Sequence, residues 1–229
     1  MNTQSNQDER EGSGASVEIP VPTPEPALYR YGATDAILRI LVDDPYAEFT
    51  ARELSRATEY SIRSITQALD VLAANGLIRT RSEGNRKPVR IDRTRLSKPD
   101  DPILQILQTA FHEPVRIATD RLLDQLKDVR GTLVFGSVAR GEADRQSDID
   151  LFVLVAESQA SNQRRAHEVA KHLGQQRFEG DRYRFEILVE SVQSVRQYDE
   201  RLRDVFAAGL TIYETDTFRT VRTEVLGHD

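Results

Sequence analysis

Apolar residues recur at helical spacing in the region that follows a polar start of the chain. The first apolar stripe runs over 37–41 and ends at Asp43-Asp44-Pro45, a sequence that stops helices. Thr50 and Glu53 have the spacing of a capping box, in which each side chain satisfies a backbone N–H of a new helix. The pattern therefore predicts two short helices before residue 60.

A third helix is predicted from Ser61 to the stop signal Asn75-Gly76. Two short strands follow at Leu77–Arg81 and Pro88–Asp92, joined by a polar turn. A helix, a helix-turn-helix and a β-hairpin in this order are typical of a winged helix. Helical spacing predicts that the third helix buries four residues, namely Ile62, Ile65, Leu69 and Leu72.

The second half of the chain alternates between strand and helix patterns. Alternation of this kind predicts an α/β (α+β) domain with a small mixed sheet. The predicted strands are Thr132–Phe135, Asp148–Val155, Tyr183–Val189 and Leu210–Tyr213, and the predicted helices are Gln163–Phe178 and Val195–Ala208. The strand at 210–213 is expected at the edge of the sheet.

These patterns divide the chain into four regions. Residues 1–27 are polar and end in four closely spaced prolines, so we expect a disordered tail. A winged helix-turn-helix domain is expected over 28–96, and the α/β domain over 131–229. Residues 97–130 are expected to form a helical connector that is interrupted at Pro114, where His112 is a surface or packing residue.

Composition narrows the chemistry that is open to the 229 residues. The sequence has no cysteine and only four histidines, which excludes disulfides and thiolate zinc sites and leaves oxygen ligands for any metal. No apolar run reaches the length of a membrane span, and the first ten residues lack the order of a signal peptide. We therefore expect a cytoplasmic protein that does not bind membranes.

Charge is distributed unevenly along the chain. The net charge is −6, yet residues 49–95 hold ten basic and five acidic side chains, a local net charge of +5. Phosphate contacts dominate the affinity of proteins for DNA, so a basic segment in an acidic chain favours DNA binding by the winged helix. The alternative is that this fold serves dimerisation or protein contacts.

Positions on the third helix and at the tip of the hairpin are the candidates for DNA contact. Side chains at the start of the third helix would read base edges in a major groove, while the tip of the hairpin would touch phosphate or the minor groove. We expect tight binding only from a symmetric homodimer on a palindromic site. The candidate DNA-binding residues are Ser61, Arg63, Ser64, Gln67, Arg86 and Lys87, with Gly84-Asn85 as the turn.

The strongest chemical signal is a Gly136-Ser137 pair at the end of a strand, followed after ten residues by Asp148 and Asp150. Gly136 lets the backbone approach a ligand closely, and Ser137 and Arg140 can hold phosphate. The two aspartates lie on one face of a strand, about 6.6 Å apart along the chain. Paired carboxylates beside a phosphate cradle suit Mg²⁺, and two such ions would activate a hydroxyl and stabilise leaving pyrophosphate.

This Gly-Ser, ten residues, Asp-x-Asp string resembles that of the minimal nucleotidyltransferases of the DNA-polymerase-β-like superfamily. The resemblance covers about Gly131 to Tyr213. It implies a Mg²⁺-dependent enzyme that transfers a nucleoside monophosphate from an NTP, with ATP the expected donor, to a hydroxyl acceptor. The winged helix resembles those of archaeal and bacterial transcription regulators, by pattern and not by a signature motif.

The superfamily generally has a third carboxylate on a later strand. In the strand at 183–189, Glu186 alternates away from the apolar Phe185 and Ile187, and Glu190 shares its face. Glu186 is mid-strand and is our candidate for the third metal ligand and for deprotonating the acceptor, although the family more often has Asp here. An ordinary exposed strand residue is the other reading of Glu186.

The resemblance leaves the acceptor open. Small relatives often act as antitoxins that nucleotidylate a HEPN-type toxin, and others modify aminoglycosides or tRNA. No second substrate domain is visible after Glu214, which favours a protein acceptor such as a toxin. The alternative function is a DNA-binding regulator, acting on its own operon, whose nucleotidyltransferase domain only senses nucleotide or binds a partner.

Overall fold

The computed structural model describes residues 14–82, 84, 86–195 and 200–227. The chain divides into two compact units, Met1–Asp100 and Asp101–Asp229. Three parts of the predictions lie outside the described residues: the first 13 residues of the tail, Glu83 and Asn85 in the hairpin turn, and 196–199 within the predicted helix at 195–208.

The first unit contains three helices followed by an antiparallel hairpin, in the order that the sequence predicts. Thr50 and Glu53 form the predicted capping box of the second helix, and the Ser61 hydroxyl caps the third. In chain order the elements are β1 (Ser16–Val17), α1 (Gly32–Asp43), α2 (Ala51–Thr58), α3 (Ile62–Ala74), β2 (Ile78–Thr80), β3 (Val89–Ile91) and β4 (Leu96–Ser97).

The buried side of α3 differs from the predicted stripe. Ile62 is 52% exposed and Leu69 only partly buried, whereas Ala68 and Val71 join the core with Ile65 and Leu72. Ile62 is the first residue of α3, where no preceding turn of the helix covers it. The prediction that Ile62 is buried is therefore wrong, and this residue belongs to the exposed side of the helix.

Part of the predicted tail over 1–27 makes contacts within the first unit, through β1 and a 3₁₀ turn at Pro26–Tyr29. β1 pairs with β4, and the buried side chain of Asn75 holds the segment in place. The Glu25 amide donates to Asn75 Oδ1 at 3.1 Å, and Asn75 Nδ2 donates to the Glu25 carbonyl at 3.1 Å. These hydrogen bonds and the burial of Leu28 help to offset the conformational entropy that the segment loses when it packs against the rest of the unit.

The second unit is built on one four-stranded sheet. Its strands run in the order β7-β6-β5-β8, with β5 antiparallel to both of its neighbours and β6 parallel to β7. The elements are α4 (His112–Gln125), β5 (Val129–Phe135), α5 (Gly136–Arg140), β6 (Ile149–Val155), α6 (Gln159–Leu173), β7 (Phe185–Ser191), α7 (Val192–Val195), α8 (Glu200–Ala208), β8 (Leu210–Glu214) and α9 (Asp216–Gly227). The predicted mixed α/β fold with a small mixed sheet is confirmed, and β8 is an edge strand as expected.

Apolar residues cover one face of the sheet through α8 and α9. Phe152 of β6 packs edge-on against Phe206 of α8 with ring centroids 5.1 Å apart, and Phe206 in turn contacts Phe218 of α9. The sequence did not predict α9, although Phe218 and Val221 are fully buried in this cluster. Strand alternation sends Ile149, Leu151 and Val153 to the opposite face, where they are fully buried.

The region predicted as a connector belongs to the second unit from Asp101 onward. Short 3₁₀ turns precede α4, and the break in helical structure lies at 106–108 and not at Pro114. Pro114 is tolerated as the third residue of α4, because amides of the first turn have no carbonyl partner in the helix. His112 is buried with its Nε2 2.7 Å from the Ile106 carbonyl oxygen, so it is a packing residue.

Within the described ranges, no helix is both long enough and apolar enough to cross a bilayer.

Packing at Gly131 of β5 generates a prediction about stability. A methyl group at this position would overlap the buried Phe218 ring, whose Cε2 atom would lie 2.7 Å away. Gly131→Ala should therefore destabilise the protein by about 1–3 kcal/mol in urea unfolding, the usual cost of an overpacked core. Gly227→Ala is the control, since a methyl there meets no atom within 4 Å. Equal unfolding midpoints for the two variants would contradict the packing described.

Candidate active site

The Gly-Ser pair lies at the junction of β5 and α5, as the motif predicts. Gly136 has a φ of +68°, a conformation that favours glycine. A Cβ atom at this position would collide with the Asp150 carboxylate, with the Asp150 Cγ only 3.2 Å away. The lack of a side chain at 136 therefore creates the space in which the Asp150 carboxylate stands.

The second and third candidate carboxylates are neighbours across β6 and β7. These strands are parallel, and Asp150 is the register partner of Glu186. The register is fixed at the start of the strands, where the Ile149 amide donates to the Arg184 carbonyl at 2.9 Å. Register partners point to the same side of a sheet, so Asp150 and Glu186 share one face.

This face is the one that carries Phe152 and Leu188 further along the same strands. Leu188 packs against the cluster formed with α8 and α9, so only the first part of β7 leaves this face open. Asp148 is 26% exposed, Asp150 is partly buried and Glu186 is exposed. The carboxylates therefore stand where an apolar core ends and solvent begins.

Asp150 is the carboxyl of the site whose pKa is raised by its surroundings. Burial raises the pKa of its carboxyl to about 6, and the negative charges of Glu186 and Asp148 add to the increase, while Arg140 opposes it. Each of the two neighbours is thus close enough to act on Asp150. The site holds negative charge that the surrounding cations do not fully balance.

Arg184 is a basic residue of the site that the sequence reasoning missed. Its Nε lies 2.7 Å from Asp148 Oδ1, which makes an ion pair, although that oxygen has no hydrogen bond of good geometry among the described residues. The signal was present, because Arg184 precedes Glu186 by two positions and strand alternation places both on one face.

Ser137 and Arg140 lie on α5, directly after Gly136. Ser137 is partly exposed at the start of the helix. Arg140 Nε donates to Glu142 Oε2 at 2.8 Å, so its guanidinium is partnered at the surface while it acts on Asp150 at longer range. Both predicted phosphate-binding side chains are thus on the element that faces the carboxylates.

Glu190 has a different environment from Glu186, although alternation places them on one face. Gln159 Nε2 donates to Glu190 Oε2 at 2.8 Å, and the Ser194 hydroxyl donates to the same oxygen at 2.7 Å. Its register partner is Leu154, four positions along β6 from Asp150. Glu190 therefore holds the end of β7 to neighbouring helices, and Glu186 is the carboxylate beside Asp150.

The three carboxylates have the ligand chemistry of a divalent-cation site. Carboxylate oxygens are the donors that Mg²⁺ prefers. Burial, together with the negative charges of Glu186 and Asp148, raises the pKa of the Asp150 carboxyl. As the side chains stand, however, no group of three or more acidic, histidine or cysteine side chains within the described ranges is arranged around a common metal position. The carboxylate oxygens fit a divalent cation in their chemistry. The side chains would have to rotate for three of them to contact the same cation.

The candidate DNA-binding residues lie on α3 and the hairpin of the first unit. Arg63, Gln67, Arg86 and Lys87 are all exposed. Ser61 and Ser64 are instead bonded to each other, with their hydroxyl oxygens 2.9 Å apart, as part of the cap of α3. Capping thus occupies two of the six predicted contacts.

Part of the positive charge in this unit is neutralised or buried. Arg79 pairs with Asp92 at 2.8 Å, and Arg81 pairs with Glu48 at 3.4 Å. Arg93 is buried, with its guanidinium carbon 5.3 Å from the centre of the Tyr46 ring. Asp92 is already counted in the net charge of +5 for residues 49–95, but Glu48 lies outside that range. The Arg81–Glu48 pair and the burial of Arg93 therefore make the accessible positive charge smaller than +5, and it includes the exposed cations of α3 and the hairpin.

Comparison with known proteins agrees with the geometry of the second unit. Residues 116–204 match the family model described as "Nucleotidyltransferase domain", a range that includes all three candidate carboxylates. The predicted enzyme class, a nucleotidyltransferase, is thereby confirmed for this domain. A search of curated proteins found no match.

Solved structures with a distant likeness include the toxin-antitoxin MntA-HpeT in mutant form. That structure has 16% sequence identity, a TM-score of 0.37, and coverage of 50% of this chain and 84% of the other. A structure described as the toxin-antitoxin with AMP-PNP has 18% identity, a TM-score of 0.37, and coverage of 52% and 86% respectively.

The raised pKa of Asp150 predicts how stability depends on pH in buffer without divalent cations. Between about pH 4, the ordinary carboxyl pKa, and pH 6, the folded protein binds more protons than the unfolded chain, so stability falls as pH rises. Asp150→Asn stays neutral. It should exceed the wild type by about 1 kcal/mol at pH 7.5, a value reduced for partial exposure, and lose this advantage below pH 4.

Urea unfolding at pH 7.5 and at a pH below 4 measures this difference in stability. Asp124→Asn, on the exposed side of α4, is the control. A stability difference for Asp150→Asn that does not change with pH would contradict the assigned cause.

Proposed function

We propose that the second unit transfers a nucleoside monophosphate from an NTP, with ATP the expected donor, to a hydroxyl acceptor in a Mg²⁺-dependent reaction. The observation that carries the proposal is the pairing of Asp150 with Glu186 across β6 and β7, opposite Gly136. The match of this region to the nucleotidyltransferase family model supports it independently.

The proposed roles follow from where the side chains stand. Asp148, Asp150 and Glu186 would hold the cation, with two ions expected from the family resemblance. Bound divalent cations supply charge stabilisation for the attacking and leaving oxygens. Gly136 and Ser137 would hold the triphosphate at the start of α5, and Arg140 would add a positive charge beside it.

In the proposed reaction, the acceptor hydroxyl oxygen bonds to the α-phosphorus as the bond to the bridging oxygen of the β-phosphate breaks. Pyrophosphate leaves with the electron pair of that bond. The hydroxyl proton passes to the Glu186 carboxylate, which is exposed and so can reach a large acceptor. We expect this acceptor to be a protein, such as a HEPN-type toxin, and the reaction to take place in the cytoplasm.

We infer a second activity, DNA binding, for the first unit, which we interpret as a winged helix-turn-helix domain. The exposed Arg63 and Gln67 on α3 and Arg86 and Lys87 on the hairpin support this proposal. A homodimer on a palindromic site would bring two such surfaces to successive major grooves. By binding such a site, the protein would regulate transcription of its own operon.

Transfer itself is tested by incubating the protein with α-labelled ATP, Mg²⁺ and cell extract. The proposal expects a labelled macromolecule with the wild type and none with Asp148→Asn. Nucleotide binding without any transfer would favour the alternative, a regulator whose nucleotidyltransferase domain senses nucleotide.

Glu186 and its strand neighbour Glu190 provide a matched kinetic comparison. Glu186→Gln should lower the rate of transfer by about 100-fold or more and should weaken ATP binding far less, because the lost carboxylate acts mainly on the transition state. Glu190→Gln should keep most of the activity, since its contacts are to Gln159 and Ser194. Single-turnover kinetics measure both variants, and the reverse ranking would contradict the assignment of Glu186.

The hairpin tip generates a prediction about DNA. Reversing two exposed charges, as in Arg86→Glu with Lys87→Glu, should weaken binding to all sequences alike. The slope of log affinity against log salt should become shallower by about 2, because two phosphate contacts are lost. A double reversal at Arg30 and Arg39, exposed residues outside α3 and the hairpin, is the control in the same fluorescence titrations. Equal losses in both double variants would indicate a general charge effect and no wing contact.

A further inference from the structure

Arg184 contacts the carboxylate site at Asp148, and the proposed reaction gives this residue no role. It precedes β7 and carries the carbonyl that accepts from the Ile149 amide, so its backbone is fixed beside Asp148. Its side chain is 78% exposed, yet its Nε lies 2.7 Å from Asp148 Oδ1. A well-anchored backbone thus presents a solvent-accessible guanidinium to the first carboxylate.

The contact limits access to Asp148. Oδ1 has no solvent-accessible surface, while the side chain as a whole keeps 26% of its exposure. A cation that binds this oxygen must replace the guanidinium, because two positive charges cannot share it without repulsion. Arg184 and a divalent cation therefore compete for Oδ1 of Asp148.

The alternative partner for Arg184 is the nucleotide itself. A guanidinium binds phosphate oxygens in a fork geometry that suits two parallel hydrogen bonds, and a polyphosphate offers more negative charge than one carboxylate. The Arg184 side chain is 78% exposed, and ion pairs made by exposed side chains contribute little to stability. Moving Arg184 from Asp148 to a phosphate therefore costs little free energy on the arginine side.

We propose that Arg184 couples cation loading to nucleotide binding: it covers Asp148 before nucleotide binds and transfers to the polyphosphate when nucleotide arrives. The inference rests on the proposed function, since it takes the carboxylates as the cation site. Arg184 acts on the cation through Asp148 and is a positioning residue until nucleotide binds. Thermodynamic linkage then requires that nucleotide strengthen cation binding and that the cation strengthen nucleotide binding by the same factor.

The test is an electron paramagnetic resonance titration with Mn²⁺, with and without a non-hydrolysable ATP analogue. Arg184→Ala should bind Mn²⁺ about three- to fivefold more tightly than the wild type without nucleotide, as expected for removal of an exposed competing charge. The increase in Mn²⁺ affinity caused by the analogue should shrink in this variant. Arg184→Lys should keep part of the coupling, and Arg182→Ala, an exposed arginine two positions earlier, should behave as the wild type.

The outcomes separate the two proposals. Mn²⁺ binding that requires Asp148 but does not change in Arg184→Ala overturns the coupling and leaves the cation site standing. Weaker Mn²⁺ binding in Arg184→Ala also overturns the coupling, because removal of a competing positive charge should strengthen Mn²⁺ binding. If Asp148→Asn binds Mn²⁺ as well as the wild type does, the cation site fails and the coupling fails with it.

Discussion

The parallel register of β6 and β7 is the constraint on which the candidate site depends. One hydrogen bond, from the Ile149 amide to the Arg184 carbonyl, lies at the start of this pairing and sets Asp150 beside Glu186. A slip of one residue would turn Glu186 to the opposite face, where Ile149 and Leu151 of β6 are fully buried. The apolar alternation that fills the two faces of the sheet thus also aligns the carboxylates.

Close packing of like charges is the second constraint, and two features make it tolerable. Gly136 leaves space for the Asp150 carboxylate, and Arg184 neutralises part of the charge at Asp148. The pKa of the Asp150 carboxyl is still raised, first by its burial and then by the charges of Glu186 and Asp148. A positive charge placed beside these carboxylates would favour their ionised forms.

Strand alternation made much of this site predictable from sequence. It turns Glu186 away from Phe185 and predicts one face for Asp148 and Asp150. In the structure Asp150 and Glu186 are register partners, while Asp148 directly precedes β6. Alternation alone did not separate Glu186 from Glu190. The separation needed the register and the hydrogen bonds of Glu190 to Gln159 and Ser194, which are contacts between residues far apart in sequence.

Other features depended on tertiary contacts that no local pattern carries. The order of the segment around Glu25 follows from the amide of Asn75, fifty positions away, and composition alone predicted a tail. Ile62 fits the helical stripe of α3 but is the first residue of the helix, where no preceding turn covers it. The capping box at Thr50, in contrast, is a local device and was read correctly.

The central claim is that Asp148, Asp150 and Glu186 hold a divalent cation against a bound nucleotide. A crystal structure with Mn²⁺ and a non-hydrolysable ATP analogue, with anomalous data collected for manganese, tests it most directly. The account predicts an anomalous peak within coordination distance, about 2.0–2.3 Å, of oxygens from both aspartates, with a phosphate oxygen as a further ligand. Bound analogue with no manganese peak at these carboxylates, or with a peak elsewhere on the chain, would contradict it.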